Sequence, residues 1–202
     1  MTGPLALILC VVGGYLLGSI PFGLIATRMA GLGDIRKVGS GNIGATNVLR
    51  TGRRDLALFT LLGDGGKGAV AVLIGVLISP LAAAIAGGAA FLGHLFPVWL
   101  RFRGGKGVAT FFGVSIAAFW PAGLLAGATW IATAAVFRFS ALAGLTAAAL
   151  APVYFGLLVG WRAPAFWLSL GMAVLIFIRH RENIARLLKG EEPKIGASKK
   201  PA

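Results

Sequence analysis

Long apolar runs decide most of what this chain can become. Residues 4–26, 56–78, 81–100, 141–159 and 164–178 each approach the roughly 20 residues that an α-helix needs to cross a hydrocarbon core. Hydrocarbon offers no water to unpaired backbone groups, so such runs must cross as helices. Residues 107–137 form a further apolar stretch, long for one span and short for two, with Trp120-Pro121 near its middle. Hydrophobic residues make up 57% of the 202 and the mean hydropathy is +0.87, more apolar surface than a soluble domain of this size can bury. The first run has no basic residue before it and carries Arg28 after it, which reads as a retained span and not a cleaved signal. Cys10 stands alone, so no intrachain disulfide framework is possible.

The charges orient the spans. A net charge of +13 in a soluble protein would point to nucleic acid. Here the basic residues flank apolar runs, where they report topology and contact with membrane lipids, so no nucleic-acid partner is expected. If residues 107–137 cross twice, Arg162 alone lies outside and Lys67 lies within a span, leaving the other 17 of the 19 Lys and Arg inside. A single crossing would divide them almost evenly. The positive-inside rule therefore predicts an all-α integral membrane protein of seven helices, N-terminus outside and C-terminus cytoplasmic. Residues 1–190 are expected to form one membrane domain and 191–202 a disordered basic tail, with Lys199 and Lys200 near anionic headgroups.

Four polar clusters interrupt this pattern. The first, Gly39-Ser40-Gly41-Asn42-Ile43-Gly44, formally matches a dinucleotide fingerprint, but that reading needs a preceding strand and here a membrane helix precedes. What remains is an anion-binding loop or an ordinary flexible one. Glycines at 39, 41 and 44 can turn N–H groups toward an anion, Ser40, Asn42, Thr46 and Asn47 add neutral donors, and Arg50 adds a two-pronged cation. In the second cluster Asp64 and Lys67 lie three apart on one helical face, either paired structurally or supporting an anion site from behind. The third, Gly104-Gly105-Lys106-Gly107, opens a helix, where free N–H groups, the dipole and a cation would suit phosphate. It is not a nucleotide P-loop, because the glycine five residues before the Gly-Lys pair is missing. The fourth places His180 and Asn183 on one face beside Arg179 and Arg181. His94 reads as a buried histidine bonded to backbone, and Ser140 as a site residue or, equally well, the cap of the sixth span. No His/Cys cluster suggests a metal, no Gly-x-Ser-x-Gly elbow suggests a serine nucleophile, and no carboxylate stands poised as a base.

Taken together, the segments Gly18 to Gly23, Gly39 to Asn47, Asp64 with Lys67-Gly68, Gly93-His94 with Pro97, Phe102 to Thr110, and His180 with Asn183 resemble the bacterial acyl-phosphate:glycerol-3-phosphate acyltransferase family, in family order. The resemblance implies a monomeric enzyme of the bacterial inner membrane whose active site faces the cytoplasm. It would transfer an acyl chain from acyl phosphate to the 1-hydroxyl of glycerol 3-phosphate, without a cofactor or a metal. Similarity assigns Ser40, Asn42, Arg50, Lys106, His180 and Asn183 to the site. Arg50 and Lys106 would bind phosphates, and Ser40, His180 and Asn183 would orient the hydroxyl and phosphate oxygens. Glycines 39, 41, 44, 104 and 105 would donate N–H groups or allow close approach. Acyl phosphate is already activated, so no covalent enzyme intermediate is needed. A donor phosphate oxygen or His180 would take the hydroxyl proton. A small anion transporter and a non-catalytic scaffold are the rival classes. The near-absence of charge at the outer end argues against transport.

Overall fold

The computed structural model describes residues 3–196, and among these every regular element is helical. In chain order they are α1 (Pro4–Gly18), α2 (Phe22–Met29), α3 (Ala45–Leu49), α4 (Arg54–Val76), α5 (Pro80–Leu95), α6 (Val108–Ala118), α7 (Trp120–Phe137), α8 (Ser140–Val159), α9 (Pro164–Arg179) and α10 (Arg181–Leu188). Five stretches are long and apolar enough to cross a membrane: Pro4–Met29, Arg54–Val76, Pro80–Leu100, Trp120–Phe137 and Ser140–Val159. Val108–Ala118 and Pro164–Arg179 are apolar but shorter.

Two departures from the expected spans have local causes. The first apolar run is broken at Ser19-Ile20-Pro21, because Pro21 offers no N–H to the preceding turn. The stretch 107–137 divides into α6 and α7 at Phe119, whose backbone is extended at φ −162°, and α7 starts with Pro121 in its first turn.

Helix α1 packs along α5, α5 against α4 and α9, α6 between α4 and α7, and α8 between α7 and α9. Small residues set the closest approaches. A Cβ on Gly14 or Gly18 would run into the carbonyls of Ala86 and Ala90, one turn apart on α5. Gly13 touches nothing across the interface, so of the neighbouring pair only Gly14 serves packing. The main buried cluster joins Phe91 and Leu95 of α5, Phe111 and Val114 of α6, Leu145 and Ala148 of α8, and Met172 and Ile176 of α9.

One end of the bundle has only tight links, at residues 77–79, at Phe119 and at residues 160–163. The other end carries the long polar segments 30–53 and 96–107, the Arg138-Phe139 link, and everything after α9. Of the tail expected to be disordered, residues 191–196 instead fold back onto this end. Glu192 is buried, the Ile195 N–H donates to the Arg138 carbonyl at 2.6 Å, and the Arg138 guanidinium donates to the Ile195 carbonyl at 3.2 Å. A buried carboxylate with an arginine and an amide to pair with is reason enough for this order. Residues 197–202, with Lys199 and Lys200, lie outside the described residues.

Candidate active site

The first polar segment is built around one buried amide. A short 3₁₀ turn at Ile35–Lys37 is capped by Asp34, which accepts from the Arg36 N–H at 3.0 Å and pairs with its guanidinium at 2.6 Å. The Arg36 hydrogen bond holds the Asp34 carboxyl well below the usual range, so this carboxylate is a cap and no base. Beyond it, Gly39 and Gly41 take left-handed φ of 59° and 71°. The Asn47 Nδ2 donates to the carbonyls of Ile35, Val38 and Asn42 at 3.1, 2.9 and 2.8 Å. Its Oδ1 accepts the Ser40 N–H at 3.0 Å and the Ser40 hydroxyl at 3.2 Å. Asn47 is therefore the organiser of the loop and not a donor to an anion. The Ser40 N–H is likewise spent, and the Gly41 N–H is used by the Val38 carbonyl. Among the described residues, Gly39 and Gly44 keep N–H groups without a backbone acceptor, and Asn42 lies between them. The exposed Arg50 side chain lies over Gly39, where a Cβ would meet its Cδ at 3.1 Å.

The second segment is held by cations. The Gly104 and Gly105 N–H groups donate to the Leu95 and His94 carbonyls at 3.1 Å each, capping α5, so they are not the phosphate donors that their spacing suggests. Their own carbonyls accept from Arg179, at 3.0 and 3.2 Å. The free amides belong instead to the first turn of α6, which begins after Gly107 with no side-chain cap. Lys106 stands directly before that turn and donates to the Asn183 Oδ1. Burial and the Arg186 charge lower the affinity of its ammonium for its proton, with Glu192 opposing.

Asn183 is buried and donates from Nδ2 to Glu192 at 2.6 Å, and Glu192 accepts from Arg186 at 2.7 Å. His180, one turn before Asn183, is buried with Nδ1 2.8 Å from the Ile176 carbonyl. A carbonyl only accepts, so Nδ1 carries the hydrogen and Nε2 is left as an acceptor. Burial pushes the imidazole down to about 4, the Ile176 hydrogen bond opposing and the Lys106 charge reinforcing, so His180 is neutral at physiological pH.

Between the segments, the Thr46 and Ser140 hydroxyls meet at 3.3 Å. Ser140 is the first residue of α8 after Phe139, and its side chain caps nothing. Val108 of α6 packs on Gly144 of α8, so the start of α8 adjoins both loops. Lys106 is held from α10 by Asn183, whereas the exposed Arg50 side chain lies over Gly39 of its own loop.

Beneath the loops lie three buried ionisable groups. Lys67 donates to the Asp64 Oδ1 at 2.7 Å, as the three-residue spacing predicts, and to the Ile20 carbonyl at 2.7 Å. The His94 Nδ1 stands 3.5 Å from the same Asp64 oxygen. His94 thus faces a carboxylate where a backbone partner is expected from sequence. Arg179 and Glu192 are the residues that sequence reasoning missed. Arg179 is adjacent to His180, and Glu192 is one of only six acidic residues, which are the signals that could have found them.

An apolar groove of about 610 Å³ runs between α8 and α9, lined by Pro152, Phe166, Ala173, Phe177 and Ile178 among others. Its lining ends at Phe177 and Ile178, three and two residues before His180 in the chain.

The family model described as glycerol-3-phosphate acyltransferase matches residues 8–190. A glycerol-3-phosphate acyltransferase of Caulobacter vibrioides is 68% identical over 201 residues, covering 98% of this chain and 91% of that protein. One of Rhodospirillum rubrum is 56% identical over 207 residues, covering 98% and 95%. The crystal structure of PlsY (YgiH), an integral membrane glycerol 3-phosphate acyltransferase, in its glycerol 3-phosphate form superposes with a TM-score of 0.89 at 37% identity, covering 94% of this chain and 96% of that one. Its lysophosphatidic acid form gives a TM-score of 0.86 at 35% identity, covering 94% and 95%.

Proposed function

This chain belongs to the glycerol-3-phosphate acyltransferase family, and from that premise we propose that it takes its acyl group from acyl phosphate and delivers it to the 1-hydroxyl of glycerol 3-phosphate. The products are lysophosphatidic acid and inorganic phosphate. The observation that carries this reading is the Lys106–Asn183 hydrogen bond beside a neutral His180, at the open first turn of α6. A half-buried cation, free amides and a neutral acceptor together suit a phosphorylated substrate that also presents a hydroxyl.

In this reaction the hydroxyl oxygen attacks the acyl carbonyl carbon and the bond from that carbon to the phosphate oxygen breaks. The phosphate leaves with the bonding electrons. Lys106, the first amides of α6 and Arg50 with the Gly39 and Gly44 amides hold the two phosphates. Ser40, Asn42, Thr46 and Ser140 supply neutral contacts, and Asn183 fixes Lys106. A group that gains its proton only near pH 4 is a weak base, whereas a phosphate ester dianion takes up a proton at about pH 6, and the leaving phosphate grows more basic as its bond to the acyl carbon breaks. The donor phosphate therefore accepts the hydroxyl proton, and the His180 Nε2 accepts from the other hydroxyl of glycerol 3-phosphate and so orients the acceptor. The acyl chain lies along the α8–α9 groove, whose lining ends at Phe177 and Ile178, close to His180 in the chain.

In this reading the helices make seven crossings with the N-terminus outside and the site on the cytoplasmic face, which the charge distribution favours, and the family resemblance implies a bacterial inner membrane. The protein acts as a monomer. Purified protein given palmitoyl phosphate and glycerol 3-phosphate should release phosphate and form lysophosphatidic acid in equal amounts, and palmitoyl-CoA should not replace the donor. Transfer from the thioester, or phosphate release without acyl transfer, overturns the proposal.

A further inference from the structure

The Lys67–Asp64–His94 group lies outside the reacting centre, yet it touches the backbone that supports each of the two loops. Lys67 crosses from α4 to the Ile20 carbonyl, which the break before Pro21 leaves without a helical partner. That break sets the start of α2, and Gly23 of α2 packs so closely on the Ile43 carbonyl that no Cβ fits between them. Ile43 is in the first loop. On the other side His94 packs its imidazole against Gly105, again with no room for a Cβ, and its carbonyl accepts the Gly105 N–H at 3.1 Å. Lys106 follows immediately. Asp64 stands in the middle, 2.7 Å from Lys67 and 3.5 Å from the His94 Nδ1.

We infer that Lys67, Asp64 and His94 are positioning residues that hold the first loop and the Lys106 loop in register with each other. Charges buried within a membrane helix are costly, and packing alone would be served as well by apolar side chains. These three are arranged so that each end of the group grips a helix terminus beside a loop. Above, the two loops meet through the start of α8, at Thr46–Ser140 and Val108–Gly144, and the buried group ties them a second time from below.

The inference rests on the acyl-transfer reading, and its test separates the two. In a Cys10→Ala background, spin labels at Lys37→Cys and Arg103→Cys report the distance between the loops. The double variant Asp64→Asn/Lys67→Met removes both charges together. It should broaden or shift that distance and lower kcat/KM for glycerol 3-phosphate by about a hundred-fold, the cost of a displacement near 1 Å, mainly through KM. His94→Phe should act in the same direction. His94→Gln presents a side-chain N–H toward Asp64, as the imidazole does at 3.5 Å, and should restore KM to within about three-fold. If the double variant does not fold, the His94 pair decides. An unchanged distance with unchanged KM in a folded variant overturns the inference, as does an equal loss in His94→Phe and His94→Gln. Wild-type protein that shows no acyl transfer, but whose loop distance responds to these substitutions, supports the positioning role and overturns the reaction assigned to the site.

Discussion

The two polar loops contain the same ingredients, glycines followed by a cation, and the fold treats them in opposite ways. The first is organised from within by a neutral amide: Asn47 gathers three carbonyls and two groups of Ser40 while Arg50 stays exposed. The second is organised from outside by charge: Arg179 clamps the Gly104 and Gly105 carbonyls and Asn183 draws in Lys106. A loop built by neutral contacts can leave its cation mobile at the entrance. A loop clamped by charge-assisted hydrogen bonds commits its cation to one place. On the reading proposed above, this contrast assigns the reacting geometry to the Lys106 loop and the admission and retention of substrate to the Arg50 loop.

That division sets the order of effects. Lys106→Met should be the most damaging, lowering kcat/KM by about a thousand-fold, or ~4 kcal/mol, with kcat falling more than KM rises. Steady-state kinetics on the detergent-purified protein measure this, and equal losses in Lys106→Met and Arg50→Met would erase the contrast. Asn47→Leu should cost about 3 kcal/mol of stability, because three carbonyls and the Ser40 N–H lose their partner. Thermal unfolding should register that loss, and Lys106 chemistry should survive in whatever fraction stays folded.

Next comes acidity. His180 binds its proton less readily folded, at about 4 against the ordinary 6.5, so its contribution is whole above pH 6.5 and declines as pH falls toward 4. Between pH 6.5 and 5 the loss should be about 2 kcal/mol. Melting curves of wild type and His180→Asn should converge over this window. The near-neutral pKa of kcat/KM, assigned to phosphate, should persist in His180→Asn; its disappearance would make His180 the base. Thr46→Val should matter least, below about 1 kcal/mol, since it removes a single exposed hydroxyl pair. A larger drop in kcat/KM there would show that the hydroxyls contact substrate.

The sequence makes some of this legible and conceals the rest for identifiable reasons. Apolar length reveals the helical runs, and Trp120-Pro121 marks the division that falls at Phe119. Pro21 carries the same signal inside the first run, but unbroken hydrophobicity on both sides masks it. For the site, residue type and spacing locate Lys106, His180 and Asn183 at one end. They cannot say whose carbonyl a glycine N–H will meet, so of the two roles open to Gly104 and Gly105, donating to an anion and allowing close approach, only the second holds, and their N–H groups cap α5. Glu192 escapes because it follows Gly190 and precedes Pro193, a composition that reads as loose chain until Asn183 and Arg186 are seen beneath it.

Helix α6 has 11 residues and rises ~17 Å, little more than half of a typical ~30 Å hydrocarbon core. Lipid beside so short a rod must thin, or the rod must be shielded by its neighbours, and either adjustment costs a fraction of a kcal/mol per ångström. Lys106 sits at the tip of this rod. The chain length of the surrounding lipids is thus a mechanical input to the site, and a reconstituted enzyme should be compared only between bilayers of matched thickness.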